Sequence, residues 1–195
     1  RRFGLLENQD FRIHRHKGRG ILPDDLLGQP DPKQQTLLHQ LPAKLKGFSH
    51  LGDQACVVVL IDVDRDPCRE LLGQLNSMLA RLPKRPPRVL FRLAIEETES
   101  WFIADVDAVA AAYPKVRAQK LQKLRRIVAD EIVGAWEELA VALDIKDSEV
   151  TGADKYAWAE RISPYLNLTE PHSPSLRKFV DGIHREVLKH PAGSR

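Results

Sequence analysis

The run Cys56-Val-Val-Val-Leu-Ile-Asp62-Val-Asp64-Arg65-Asp66-Pro67 constrains the fold more than any other stretch of the chain. Val57 to Ile61 are consecutive apolar residues, mostly β-branched, the pattern of a strand buried on both faces. Two aspartates one residue apart end it, and a helix should follow at once. Asp66 suits an N-cap, Pro67 the first helical position and Glu70 the first turn. Leu71, Leu72, Leu75, Met78, Leu79 and Leu82 continue as an apolar stripe. Beyond the stiff basic linker Pro83-Lys-Arg-Pro-Pro87, residues 88 to 95 read as a second strand. A helix is expected from about Thr98 to Ala112. Strand–helix–strand–helix with connections of this length means parallel crossover units, and so an α/β fold with a small, mostly parallel sheet.

That topology gives the acids a meaning. Asp62 and Asp64 share one face if both keep strand geometry, because side chains alternate with period two. They lie where open α/β sheets place their sites, at the carboxyl edge of a strand. Two carboxylates there repel unless a cation lies between them, and hard oxygens suit Mg²⁺ or Mn²⁺. Glu96, Glu97 and Glu99 end the next strand and open on the same edge of a parallel sheet. Together the acids could hold one or two metal ions for phosphate chemistry. A plainer role exists for each: Asp66 as a cap, and the glutamates as complements to a helix dipole.

The flanks are less constrained. Phe11-Arg-Ile13-His-Arg-His16 alternates apolar with polar and reads as a strand ended by Lys17-Gly-Arg-Gly20. His14, His16 and Lys17 could sit beside a phosphate or form a solvated strand end. Leu37, Leu38, Leu41 and Leu45 have helical spacing, with Pro42 expected to kink or split the helix. After Pro114 the chain turns helical. Lys115 to Arg126 is basic and could follow a nucleic-acid backbone or be a charged helix face. Helices are expected over 129–143, over 154–162 and after Ser173-Pro174. Trp101, Trp136 and Trp158 fall at core spacings. The expected organisation is an α/β core over 1–114 and a helical part over 115–195.

Cys56 and Cys68 make no disulfide framework, which fits a reduced, cytoplasmic setting. No apolar run has membrane length and no signal-peptide pattern occurs. A net charge of +3 permits nucleic acid without requiring it. There is no phosphate-binding glycine loop and no dinucleotide fingerprint.

The strand ending Leu-Ile-Asp62-Val-Asp64-Arg65-Asp66-Pro-Cys68 resembles the Asp-x-Asp strand of TOPRIM domains. Arg92-Leu-Ala-Ile-Glu96-Glu97-Thr-Glu99-Ser-Trp101-Phe-Ile-Ala-Asp105 is similar to a signature of one bacterial TOPRIM-like family, the domain of unknown function 4276. Ala-Ala-Tyr113-Pro114, Gly152-Ala-Asp-Lys155 before Ile162-Ser163-Pro164, and His172-Ser173-Pro-Ser175-Leu176 resemble it too, in the family's order. The resemblance implies a Rossmann-like TOPRIM core related to OLD-type nucleases. By it, Asp62 and Asp64 would bind Mg²⁺ or Mn²⁺, and Glu97 or Glu99, with Glu96 beside them, would serve a second metal. Lys155 would stabilise charge on a scissile phosphate. The activity implied is a metal-dependent phosphodiesterase on nucleic acid, DNA ahead of RNA, in defence or repair beside a partner ATPase. The alternative is a non-catalytic nucleic-acid-binding or ATPase-partner regulatory subunit. The family's first strand and its glutamate should precede Arg1. With no initiator Met, the chain reads as a fragment, and Glu7 is a poor substitute for that glutamate.

Overall fold

Val57–Asp62 forms β1, and burial alternates along it: Val59 and Ile61 are buried while Asp62 is exposed at its end. The expected burial on both faces is therefore only partly met; Val57, Val58 and Leu60 are half-buried. The computed structural model describes residues 2–63 and 67–189, so Asp64 and Asp66 lie outside the described residues. Preceding β1 is α1, Leu37–Gly47, which runs unbroken through Pro42. Leu38, Leu41, Pro42 and Leu45 of α1 are all buried. Pro42 thus costs α1 one hydrogen bond but not its continuity.

After β1 comes α2, Cys68–Arg81, whose first-turn amides of Glu70 and Leu71 both donate to Pro67 O. The stripe Leu71, Leu75, Met78 and Leu82 is buried at the spacing of one helix face. Val89–Ala94 is β2. Val57 N–H donates to Arg88 O at 3.0 Å, and six residues on Val63 N–H donates to Ala94 O at 3.0 Å. Both chains advance by the same step in the same direction, so the strands are parallel. Among the described residues they make the whole sheet.

The residues after β2 are helical. They are α3 (Glu99–Ala104), α4 (Val106–Ala112), α5 (Ala118–Leu124), α6 (Ala135–Ala142), α7 (Gly152–Ile162) and α8 (Pro174–Ile183). The single helix expected over 98–112 is two, broken at Asp105. Its backbone leaves helical geometry, and its carboxylate takes Ala108 N–H at 3.0 Å and Asn167 N–H at 2.7 Å. The helix expected over 129–143 is shortened by Gly134, whose φ of +80° ends the preceding segment. Ala129–Glu131 is instead one 3₁₀ turn. The strand expected over 11–16 does not form. Its alternation suits a sheet, but Lys17 N–H turns inward to Gln35 O instead of joining a ladder.

The chain divides into two compact units. The first comprises Arg1–Ile61, Pro67–Phe91 and Gly182–Arg195, and its core is the leucine faces of α1 and α2 with Val59 and Ile61. The second comprises Asp62–Asp66 and Arg92–Asp181. There α3 packs on α6, and α4 packs on α5 and α7, around Trp101, Ile103, Val109, Leu139, Trp158 and Ile162.

Candidate functional site

Everything that bears on the acids after β2 lies in the second unit. Glu96 follows the strand with a φ of +61°, a conformation that disfavours a side chain. Its two carboxylate oxygens accept Gly134 N–H at 2.8 Å and Ala135 N–H at 3.1 Å. Glu96 therefore caps α6 from outside, satisfying two amides that the helix start leaves open.

Glu97 and Glu99 meet α7. Lys155 Nζ lies 3.3 Å from Glu97 Oε1 and 4.0 Å from Glu99 Oε1. The same ammonium stands over the Trp136 ring, 4.7 Å from its centroid, which adds a cation–π contact. Lys155 is aimed by α7, whose start is fixed by a capping box between Thr151 and Asp154. The Asp154 carboxyl is held below its usual range by the Thr151 hydroxyl. Ser100 secures the turn that presents the acids, donating to Glu97 O at 2.8 Å.

One cation thus serves two carboxylates. Glu97 Oε2 is buried without a hydrogen-bond partner. Burial pushes the Glu97 carboxyl up to about 7, against the opposing pull of Lys155, and Glu99 and Glu96 add to the rise. The arrangement can hold a proton near neutral pH, or accept a cation in its place.

A carboxyl raised in the folded state lends stability that is complete below its unfolded value and lost as pH climbs through its folded one. For Glu97 that window runs from 4.5 to about 7. Glu97→Gln, neutral throughout, is expected to equal the parent near the lower bound. Above the upper bound it is expected to be more stable by about 1 kcal/mol, a figure discounted for the solvent that still reaches the site. Urea unfolding at both ends checks this; a difference that does not change with pH would rule out Glu97 as the titrating group.

The remaining candidates have definite places. Asp62 is the exposed end of β1. Asp64 lies outside the described residues, so its alignment with Asp62 is not on view. Among the described residues, no three His, Cys, Asp or Glu side chains are grouped to hold a metal ion. The basic segment spends charge internally: Lys120 pairs with Asp144 at 2.6 Å, Lys123 with Glu138 at 3.0 Å and Arg125 with Asp107 at 2.5 Å. Of the tryptophans, Trp101 and Trp158 are core as expected, whereas Trp136 is only half-buried and carries Lys155.

A further polar group joins the Ser173–Ser175 stretch, which the family likeness singles out, to Asp130, around which the sequence shows no motif. Asp130 accepts Ser173 Oγ–H at 2.6 Å and Ser175 N–H at 2.8 Å. Trp101 Nε1–H donates to Ser175 Oγ at 2.7 Å. Ser173 is also the expected cap of α8, taking Leu176 N–H at 3.1 Å. Ser-Pro-Ser is thereby a structural clasp: Ser173 and Ser175 are buried, and Ser175 is joined to α3 through Trp101.

Among the described residues, no helix is long and apolar enough to cross a membrane. No curated protein and no solved structure matches the chain. The glutamate run, Lys155 and the Ser-Pro-Ser clasp all fall within residues 7–184, which match the family model described as Domain of unknown function (DUF4276), and the chain belongs to that family.

Proposed function

We propose that the chain is a nucleic-acid-binding subunit that does no phosphoryl chemistry by itself and serves a partner ATPase. The partner is what the likeness to OLD-type systems implies. The observation that carries the non-catalytic part is the use made of the acids after β2. Glu96 caps α6, and Glu97 and Glu99 hold Lys155 of α7, so all three tie the end of a strand to the helices around it. Such ties specify an arrangement and require no substrate.

A different observation favours a second reading, a divalent-metal-dependent phosphodiesterase on a Rossmann-like TOPRIM core. Glu97 Oε2 is buried without a partner, beside Glu99, a donor set of hard oxygens that fits Mg²⁺ or Mn²⁺. In this reading Asp62 and Asp64 would hold the metal, and Glu97 and Glu99, with Glu96 behind them, would complete or duplicate the site. Lys155 leaves its carboxylates to offset charge on the phosphate. The metal would supply an activated water and polarise the phosphate.

Incubation with single- and double-stranded DNA and RNA, with and without Mg²⁺ or Mn²⁺, separates the two. Binding without cleavage is the expected result. Metal-dependent cleavage that disappears in Asp62→Ala/Asp64→Ala would overturn the non-catalytic reading and establish the phosphodiesterase.

A further inference from the structure

The first unit carries its own concentration of positive charge, outside the helical basic segment 115–126 of the second unit. Residues 11 to 23 contain Arg12, His14, Arg15, His16, Lys17 and Arg19 and no acid. Arg12, His14, Arg15 and Lys17 are exposed, and His16 and Arg19 are half-buried. The charge of α1 extends the patch: burial and then the nearby Lys44 hold the His16 imidazole below its usual range, with His14 pushing the same way.

This stretch has no regular secondary structure, yet it is fixed in place. Lys17 N–H donates to Gln35 O at 3.1 Å, and Gly18 O and Arg19 O accept the first amides of α1, from Leu37 at 3.0 Å and Leu38 at 2.8 Å. Gly18 and Gly20 have φ of +80° and +67°. A Cβ on Gly20 would lie 2.1 Å from Thr36 Oγ1, so only glycine lets the bend lie against the helix start. A pinned basic bend loses less entropy on binding than a loose tail. Apolar surface is interleaved with the charge. Phe11 and Ile13 are exposed, and the His14 ring stands edge-on to Phe48 at 5.4 Å. Cations for phosphates, with ring and apolar faces between them for unstacked bases, are what a single strand requires.

We infer that the Arg12–Arg19 bend is the surface that takes the phosphate backbone of single-stranded nucleic acid. The inference rests on the nucleic-acid-binding reading above. The bend is distinct from the Lys115–Arg126 segment, which belongs to the second unit.

The test is fluorescence anisotropy of a labelled thymidine oligonucleotide of roughly 20 nucleotides, titrated with the whole chain over a range of KCl. Arg12, Arg15, Lys17 and Arg19 are changed together to Gln. A milder Lys17→Gln/Arg19→Gln pair is measured alongside, and circular dichroism confirms the fold of each. A control changes Lys84, Lys115, Lys146 and Lys178 to Gln, removing equal charge elsewhere. The fourfold variant is expected to bind about tenfold or more weakly at moderate salt, with the slope of log K against log salt reduced by roughly 2–3. The pair should fall between, and the control should stay near the parent. Parental binding that survives in the fourfold variant, or that drops equally in the control, would overturn the assigned surface while leaving the nucleic-acid reading intact. A parent chain that does not bind the strand would overturn both.

Discussion

Trp101→Ala is expected to destabilise the chain by about 3–5 kcal/mol, the range for emptying a buried large aromatic site. Trp101 is 6 % exposed. Its ring lies 5.4 Å from that of Phe179, tilted by 33°, so the deletion strips one face of α8 as well as α3. Its indole N–H is the donor that joins α3 to Ser175, and Ser175 in turn is held by Asp130. The truncation therefore adds a cavity and loosens a buried polar group, two costs that act in the same direction. At about 2–4 °C per kcal/mol for a chain of this size, the melting temperature should fall by roughly 6–20 °C. Trp101→Phe separates the terms: it keeps most of the packing and loses only the donor, with an expected cost of about 1–2 kcal/mol. Thermal and urea unfolding of both variants check this. A loss below about 1 kcal/mol for Trp101→Ala would show that the clasp is not a cooperative part of the second unit.

That clasp marks the limit of what the sequence discloses. The strand β1, the stripe of α2 and the strand β2 are legible because each is fixed by a local pattern: an apolar run, a period near 3.6, a β-rich stretch that follows a proline pair. The features that were not legible all depend on residues distant in the chain. Asp105 breaks a helix that its neighbours would have continued because Asn167, far along the chain, offers an amide to its carboxylate. Glu96 adopts positive φ because the start of α6 arrives with two open amides. Asp130 has no motif around it, and its partners are Ser173 and Ser175. The alternating segment at 11–16 has the pattern of a strand, but the residues that follow it, Lys17 to Arg19, bond to the start of α1 and the residues before it. The candidate site divides the same way. Its glutamates and Lys155 stand out by type and by family likeness, whereas the sharing of one ammonium by two carboxylates above Trp136 is a tertiary fact.

That sharing is what makes Lys155→Met the most informative single change in the site. Methionine keeps an unbranched stem to lie against Trp136 and removes only the charge. Glu97 and Glu99 would then confront each other without a cation, Glu97 already short of one partner. Removing one member of a buried pair costs about 3–5 kcal/mol. Here the side chains of Lys155 and Glu97 retain 33 % and 20 % of their exposure. Water therefore screens the pair, and about 2 kcal/mol is expected above neutral pH. The sign of the pH dependence follows from the carboxyl. Glu97 is already raised to about 7, and loss of Lys155, the strongest force opposing that rise, moves it higher. Stability lent by the protonated form is lost as pH climbs through that raised value. Parent and variant should therefore unfold alike in acid, where the glutamate is neutral in both, and diverge as pH rises past neutrality. Combining Lys155→Met with Glu97→Gln removes the group that suffers, so the double variant should recover most of the loss, and the two changes should be strongly non-additive. Urea unfolding across the pH range measures both effects. A penalty that is independent of pH, or that adds simply in the double variant, would mean that Lys155 stabilises the second unit through its stem and Trp136 rather than through its charge.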